Sequence, residues 1–169
     1  MDSAEARRRL EVQGFLGLSD EELCTVRPWM RFTPALNTMA VATATALASP
    51  VLCLVVAAIM APGAVTRWHP FDLVFNNVVR RFIVAPPLPP SGPRRRLIFG
   101  MGATWMAATA WAFATGATVV AYALGLLMAM LAGVLATVQV CVVSETLARL
   151  FGMPRLSAGV DADIAVSVS

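Results

Sequence analysis

Charge is absent from two long stretches of this chain and crowded into the segments around them. Residues 97–144 are forty-eight consecutive uncharged positions bounded by Arg96 and Glu145, and residues 32–66 are thirty-five more bounded by Arg31 and Arg67. A helix needs about 20 apolar residues to cross a bilayer, so the longer stretch predicts two spans and a turn. Thr115 and Gly116 mark that turn, because glycine frees the backbone there. The last span starts near Thr118 and, if it continues to Phe151, carries its final turns out of the membrane before Gly152 and Pro154 end it. The shorter stretch is too long for one span and short for two. Ser49 and Pro50 are its natural turn, giving helices of roughly 16 and 18 residues, about 24 and 27 Å against a hydrocarbon core of about 30 Å. Thr33 as N-cap with Pro34 at the first helical position opens the first helix, and Pro62 with Gly63 breaks or kinks the second. A full hairpin is the preferred reading over a re-entrant one.

Between the two stretches the period changes. Pro70 opens a helix with Phe71, Val74, Phe75, Val78, Val79, Phe82 and Ile83 on one face and Asp72, Asn76, Asn77, Arg80 and Arg81 on the other. Arginines on the polar face predict an interfacial helix lying in the membrane plane, preferred to one packed on a soluble partner because spans flank it. Residues 85–93 hold five prolines and read as a stiff, extended spacer. At the N-terminus, Ser19 and Glu22 form a capping box for a short helix from Asp20 to about Arg27, stopped by Pro28. Leu10, Val12, Phe15, Leu16 and Leu18 make an apolar patch suited to a membrane surface or a partner, and no run there is long enough for a cleaved signal. The expected architecture is an all-α membrane protein with four transmembrane helices. Residues 1–31 form a cytoplasmic segment, 32–68 the first hairpin, and 69–96 the interfacial helix and Pro-rich linker. Residues 97–151 form the second hairpin and 152–169 a mobile tail.

Composition agrees with that medium: 58% of residues are hydrophobic and 14% charged, where a soluble domain has about 25% charged. All thirteen basic residues are arginine, and each lies in the N-terminal segment, the 67–96 connection or the C-terminal segment. The two far turns carry no charge, so the positive-inside rule puts both termini and the connection in the cytoplasm of a bacterial inner membrane. Trp29, Arg31, Arg67, Trp68, Arg80, Arg81, Arg94, Arg95 and Arg96 are the expected interface residues, with the last three suited to anionic lipid headgroups or to fixing orientation. Small residues at four-residue spacing mark helix-packing faces: Ala40, Ala44 and Ala48, then Ala108 and Ala112, then Gly125, Ala129 and Gly133.

Candidate chemistry is sparse. Cys24, Cys53 and Cys141 are widely spaced and suggest neither a disulfide framework nor a zinc site. His69 is the single histidine; it is a weak candidate as an axial ligand to haem or a chlorophyll-type pigment and reads better as a structural or capping residue. The spans contain no charge, and Asn37, several threonines and Gln139 suit interhelical hydrogen bonds better than a transport path. No Walker loop, dinucleotide fingerprint, Ser-His-Asp set or Cys-His zinc spacing is present, and the arginines follow the membrane boundary rather than a nucleic-acid footprint.

The run WMRFTPALN over residues 29–37 is followed by His69, Pro70, Phe71 and Asp72 with Asn76, Arg80 and Arg81. Pro86, Pro87, Leu88 and Pro89 come next, and then Gly100, Met101 and Gly102 opening a span. This set resembles an uncharacterised bacterial membrane family catalogued as domain of unknown function 4395. The resemblance covers roughly residues 28–152 and implies a four-helix inner-membrane protein with no established activity. Some members carry a cysteine pair near the end of the last span. Cys141 matches its first position and Ser144 replaces the second, so dithiol exchange cannot be completed within this chain.

The expected function is that of a non-enzymatic accessory or structural subunit packing against partner helices in a larger membrane complex, respiratory or photosynthetic. Its partners would be anionic lipids and other membrane subunits, with no nucleic acid. No cofactor is expected beyond bound lipid, or contacts to pigment or quinone if the complex carries them. The alternatives are a thiol- or quinone-linked redox component using Cys141 and a small-solute transporter.

Overall fold

The computed structural model describes residues 25–26, 28–83, 85–138 and 146, and among them every regular element is helical. A 3₁₀ turn, Trp29–Arg31, leads into α1 (Phe32–Ala46), which is followed by α2 (Pro50–Val65). A short α3 (Pro70–Val74) passes through a π-helical turn, Phe75–Val79, into α4 (Arg80–Ile83). Then come α5 (Pro93–Ala114) and α6 (Thr118–Val138).

Both tight reversals use the same backbone device. After α5 the Gly116 N–H donates to Phe113 O at 3.2 Å and the Ala117 N–H to Ala112 O at 2.9 Å, with Gly116 in the left-handed region at φ 78°. This is a Schellman motif, which satisfies carbonyls the helix end leaves open. After α1 the Ala48 N–H donates to Thr45 O at 3.0 Å and the Ser49 N–H to Ala44 O at 3.2 Å, with Ala48 at φ 46°. Ala48 is therefore a turn residue and not part of the α1 packing face, because α1 ends at Ala46. The Ser49 hydroxyl then caps α2 by accepting from the Leu52 N–H at 3.3 Å, and Pro50 starts the helix.

Three further expectations need correction. Pro62 does not break α2, which continues to Val65; the proline lies in the last turn, where little of the hydrogen-bond ladder follows it. Thr33 does not cap α1, because the 3₁₀ turn has already started the helix and the threonine hydroxyl bonds elsewhere. Nor are there clearly four spans. α5 and α6, at 22 and 21 residues, rise about 33 and 32 Å, whereas α1 and α2, at 15 and 16 residues, reach only about 22 and 24 Å. Two helices are long and apolar enough to cross a membrane, or three if α2 and the α3–α4 segment, bent by 82°, form one broken span.

The longer helices make their broadest contacts across the hairpins: α2 lies along α5 and α1 along α6. Their common core is Val41 and Ala44 of α1, Cys53, Val56 and Met60 of α2, and Met106 and Ala110 of α5. Gly102 brings α5 close to the Met60 and Met128 side chains, and Gly125 brings α6 against Thr45, where a Cβ would lie 2.3 Å from its hydroxyl. The outer surface is apolar. Only 11% of the most apolar window of α6 is buried, and Val119 is 84% exposed, as a helix bathed in hydrocarbon requires. A second core, Val26, Met30, Phe75 and Leu88 with Trp29 and Phe32 against it, lies beside the start of α1.

Candidate functional site

Polar side chains converge where α2 turns into α3. His69 holds an extended backbone before Pro70, and its Nδ1 accepts from the Phe71 N–H at 3.2 Å, capping α3. That acceptor role places the ring proton on Nε2. The imidazole is fully buried, its centroid 4.2 Å from Phe99 and 5.3 Å from Phe71. A Cβ at Gly63 would come within 2.8 Å of the His69 ring, so glycine is what lets the imidazole tuck under α2. His69 lies in the connection between α2 and α3, outside the two helices that are each long and apolar enough to cross a membrane. Burial pulls its pKa down to about 4; Asp72 opposes this and Arg95 adds to it, so the ring is neutral at physiological pH.

Asp72, one turn into α3, is 0% exposed. Its Oδ1 accepts from the Thr33 hydroxyl at 2.5 Å and from Arg95 Nη2 at 3.1 Å. The Arg95 side chain is 12% exposed and its guanidinium lies over the Phe99 ring, 5.3 Å from its centre, so Phe99 contacts both the cation and the neutral imidazole. One carboxylate thus joins α1, α3 and α5. Next to it, Arg96 donates through Nε to Ala64 O at 3.1 Å and through Nη2 to Val65 O, covering the last carbonyls of α2. His69 Nε2, Asp72 Oδ2, Ser91 Oγ and Asn37 Oδ1 are buried without a protein partner. Within reach of this cluster, the described residues offer an acid held by a cation and a neutral imidazole, with no group of three or more His, Cys, Asp or Glu able to hold a metal.

A family model described as Domain of unknown function (DUF4395) matches residues 27–150. The chain belongs to the DUF4395 family. No curated protein and no solved structure matches it. The DUF4395 match includes every member of the polar cluster, Thr33, His69, Asp72, Arg95 and Arg96.

Within the DUF4395 region, the residues expected at the membrane interface separate into two groups. Arg31, Arg67 and Arg81 are exposed, and Trp29, Trp68, Arg80 and Arg94 are half-buried. Arg95 and Arg96 are instead engaged within the protein, because α5 begins at Pro93 and takes the whole arginine triplet into its first turns. The polar face of the 70–83 segment also turns out differently. Asp72 faces inward to its ion pair, and Asn76 binds the backbone of Leu88 twice, accepting from its N–H at 2.7 Å and donating to its carbonyl at 3.2 Å. The proline-rich segment is thereby fastened rather than free, with a further bond from the Ser91 N–H to Arg67 O at 2.7 Å. Both faces reach the surface in part: Leu73, Val74, Val78, Ile83 and, at 82%, Phe82 are exposed together with Asn77 and Arg81, whereas Phe75 of the apolar face is buried.

Of the small-residue faces, Ala44 and Ala112 are buried, Ala40 and Ala129 pack on the core, Gly125 meets Thr45, Gly133 lies near Thr38, and Ala108 is exposed. Cys53 is buried in α2, whereas Cys24, Gln139, Cys141, Ser144 and the Ser19–Glu22 capping box lie outside the described residues. Thr33, Asp72 and the pairing role of Arg95 were missed from the sequence. One signal pointed there: Asp72 is the single acidic residue between Glu22 and Glu145.

Proposed function

We propose that the chain is a non-enzymatic accessory subunit of the bacterial inner membrane. Its four longer helices enter the membrane as two hairpins, and its termini and 67–96 connection lie in the cytoplasm. The observation that carries this reading is the division of the surface. Polar groups near α3 are turned inward to hold the helices together, while exposed apolar side chains cover α5, α6 and the α3–α4 segment. In lipid, helices associate through packing and hydrogen bonds rather than through hydrophobicity, so a locked bundle with an apolar exterior is suited to lateral contact with other helices. The apolar side of α3–α4, set at 82° to α2, lies across the bundle axis and fits the interfacial layer or a partner there. Mild-detergent pull-down of the full chain from its host tests the reading. Stoichiometric co-purification of one membrane complex is the expected result, and a monomer that brings down no protein overturns it. A cysteine introduced at Gly116 should react with impermeant thiol reagent from outside intact cells.

A further inference from the structure

On the outer side of α5, bounded by Ala64 of α2 and Leu124 of α6, runs an open groove of about 820 Å³. Its wall along α5 is Leu97, Met101, Trp105 and Ala108, with Arg96 and Pro93 at one end. From Arg96 to Ala108 the helix rises about 18 Å. The polar groups along this wall are already satisfied: the Thr104 hydroxyl donates to Gly100 O at 3.0 Å, and the Trp105 indole N–H donates to Leu124 O at 3.1 Å. Arg96 differs. It binds Ala64 O and Val65 O through Nε and Nη2, and a guanidinium has five N–H donors, so Nη1 and part of Nη2 are left for an acceptor.

A long apolar trough with cationic donors at one end alone is complementary to a molecule with an anionic head and an apolar tail. We propose that this groove is a binding site for one anionic phospholipid, its phosphate on Arg96 and an acyl chain along Leu97, Met101, Trp105 and Ala108. A partner helix would supply no anion at the Arg96 end unless it carried an acid there, and a zwitterionic lipid would set a choline or ethanolamine cation beside the guanidinium. Arg pairs with the phosphate of either lipid through directed, charge-assisted hydrogen bonds, and the headgroup preference comes from the net negative charge of a lipid that brings no second cation to Arg96.

The inference rests on the membrane reading above, and the two can fail separately. The full chain is placed in nanodiscs of phosphatidylglycerol, of phosphatidylcholine, and of an equal mixture of the two, and the lipids retained after release are counted by native mass spectrometry. One phosphatidylglycerol held in preference to phosphatidylcholine, by about tenfold from the mixture, is the expected result. Arg96→Gln should abolish the preference. Because Arg96 also caps α2, Thr104→Phe is the second variant: it fills the trough from an exposed position whose hydroxyl bonds only within α5. It should reduce retention of both lipids while leaving helicity unchanged. Equal retention of the two lipids, or a preference that survives both variants, overturns the site but not the membrane reading. A protein that remains in the supernatant after membranes are pelleted overturns both.

Discussion

Replacing Asp72 by Asn tests the buried clasp most directly. Asparagine has almost the same shape, so packing is preserved and its Oδ1 can still accept from Thr33. What disappears is the negative charge opposite Arg95, at a residue with no exposure facing a guanidinium side chain that is 12% exposed. Removing one member of a buried ion pair costs about 3–5 kcal/mol, because the other charge remains in a poor solvent. The retained Thr33 bond and the Phe99 face under the guanidinium place D72N at the low end, near 3 kcal/mol. That is roughly a hundredfold change in the folding equilibrium, since about 1.4 kcal/mol is tenfold. Equilibrium unfolding in mixed micelles, followed by tryptophan fluorescence, measures it. The double variant D72N/R95M removes both charges and should recover to within about 1 kcal/mol of the unmodified protein, as replacement of a buried pair by neutral groups is often near neutral. If D72N is as stable as the parent within about 0.5 kcal/mol, or if the two changes add with no coupling, the clasp is not what ties α1, α3 and α5 together.

Other outcomes follow from the same contacts. Gly125→Ala forces a methyl to within 2.3–2.5 Å of Thr45 atoms and should destabilise by about 1–3 kcal/mol; Thr45→Ala in the same chain should relieve most of it, read in the same unfolding assay. Ala48→Gly should stabilise by about 1 kcal/mol, because Ala48 is the one described non-glycine residue with positive φ; unchanged or lower stability refutes the strain assigned to it. Asn76→Ala strands both the N–H and the carbonyl of Leu88 and should cost about 2 kcal/mol, with faster proteolysis of residues 85–92 as a second readout. For His69, the folded pKa near 4 lies below the unfolded value of about 6.5, so between those pH values the unfolded chain binds a proton that the folded one refuses. Stability should therefore fall as pH drops from about 6.5 to 4, by at most about 3 kcal/mol, with no contribution from this group above 6.5. His69→Asn, which keeps a capping acceptor, should flatten that slope.

The parts of this fold that sequence reading captures are those governed by local chemistry. Uncharged runs located α1, α2, α5 and α6, and Ser49, Pro50 and Gly116 located the turns, because capping and φ preferences are decided within a few residues. Helical periodicity on residues 70–83 gives two faces but not what Asp72 and Asn76 meet. Polarity alone says that Asp72 and Asn76 want partners and does not say whether water or protein supplies them. Here the partners are Thr33, Arg95 and Leu88, 39, 23 and 12 positions away, and nothing local encodes that registry. Even so, a lone carboxylate flanked on both sides by membrane stretches was a stronger clue than helix periodicity conveyed.

The placement of the clasp explains how two short helices are held at all. α1 and α2 rise only about 22 and 24 Å, so neither has the length to be secured by hydrocarbon alone. Within lipid the apolar flanks of these helices gain little by meeting one another, so what fixes their position must be shape and polar contact. Shape is supplied by close approach at Gly102 and Gly125. Polar contact is concentrated at one end, where Asp72 links Thr33 of α1 to Arg95 of α5 and Arg96 covers the carbonyls of α2. The opposite end is closed by local turns, through 44–49 and 112–117, with hydroxyl bonds from Ser49, Thr115 and Thr118 only to nearby backbone. A bundle built this way is pinned at its charged end and free to present its apolar flanks along the rest of its length. Loss of the clasp should therefore loosen α1 and α3 while the α5–α6 turn persists. Hydrogen exchange on D72N separates this from uniform destabilisation: amides of α1 and α3 should exchange faster than those of α5 near Thr115, and equal acceleration in all helices would refute the division.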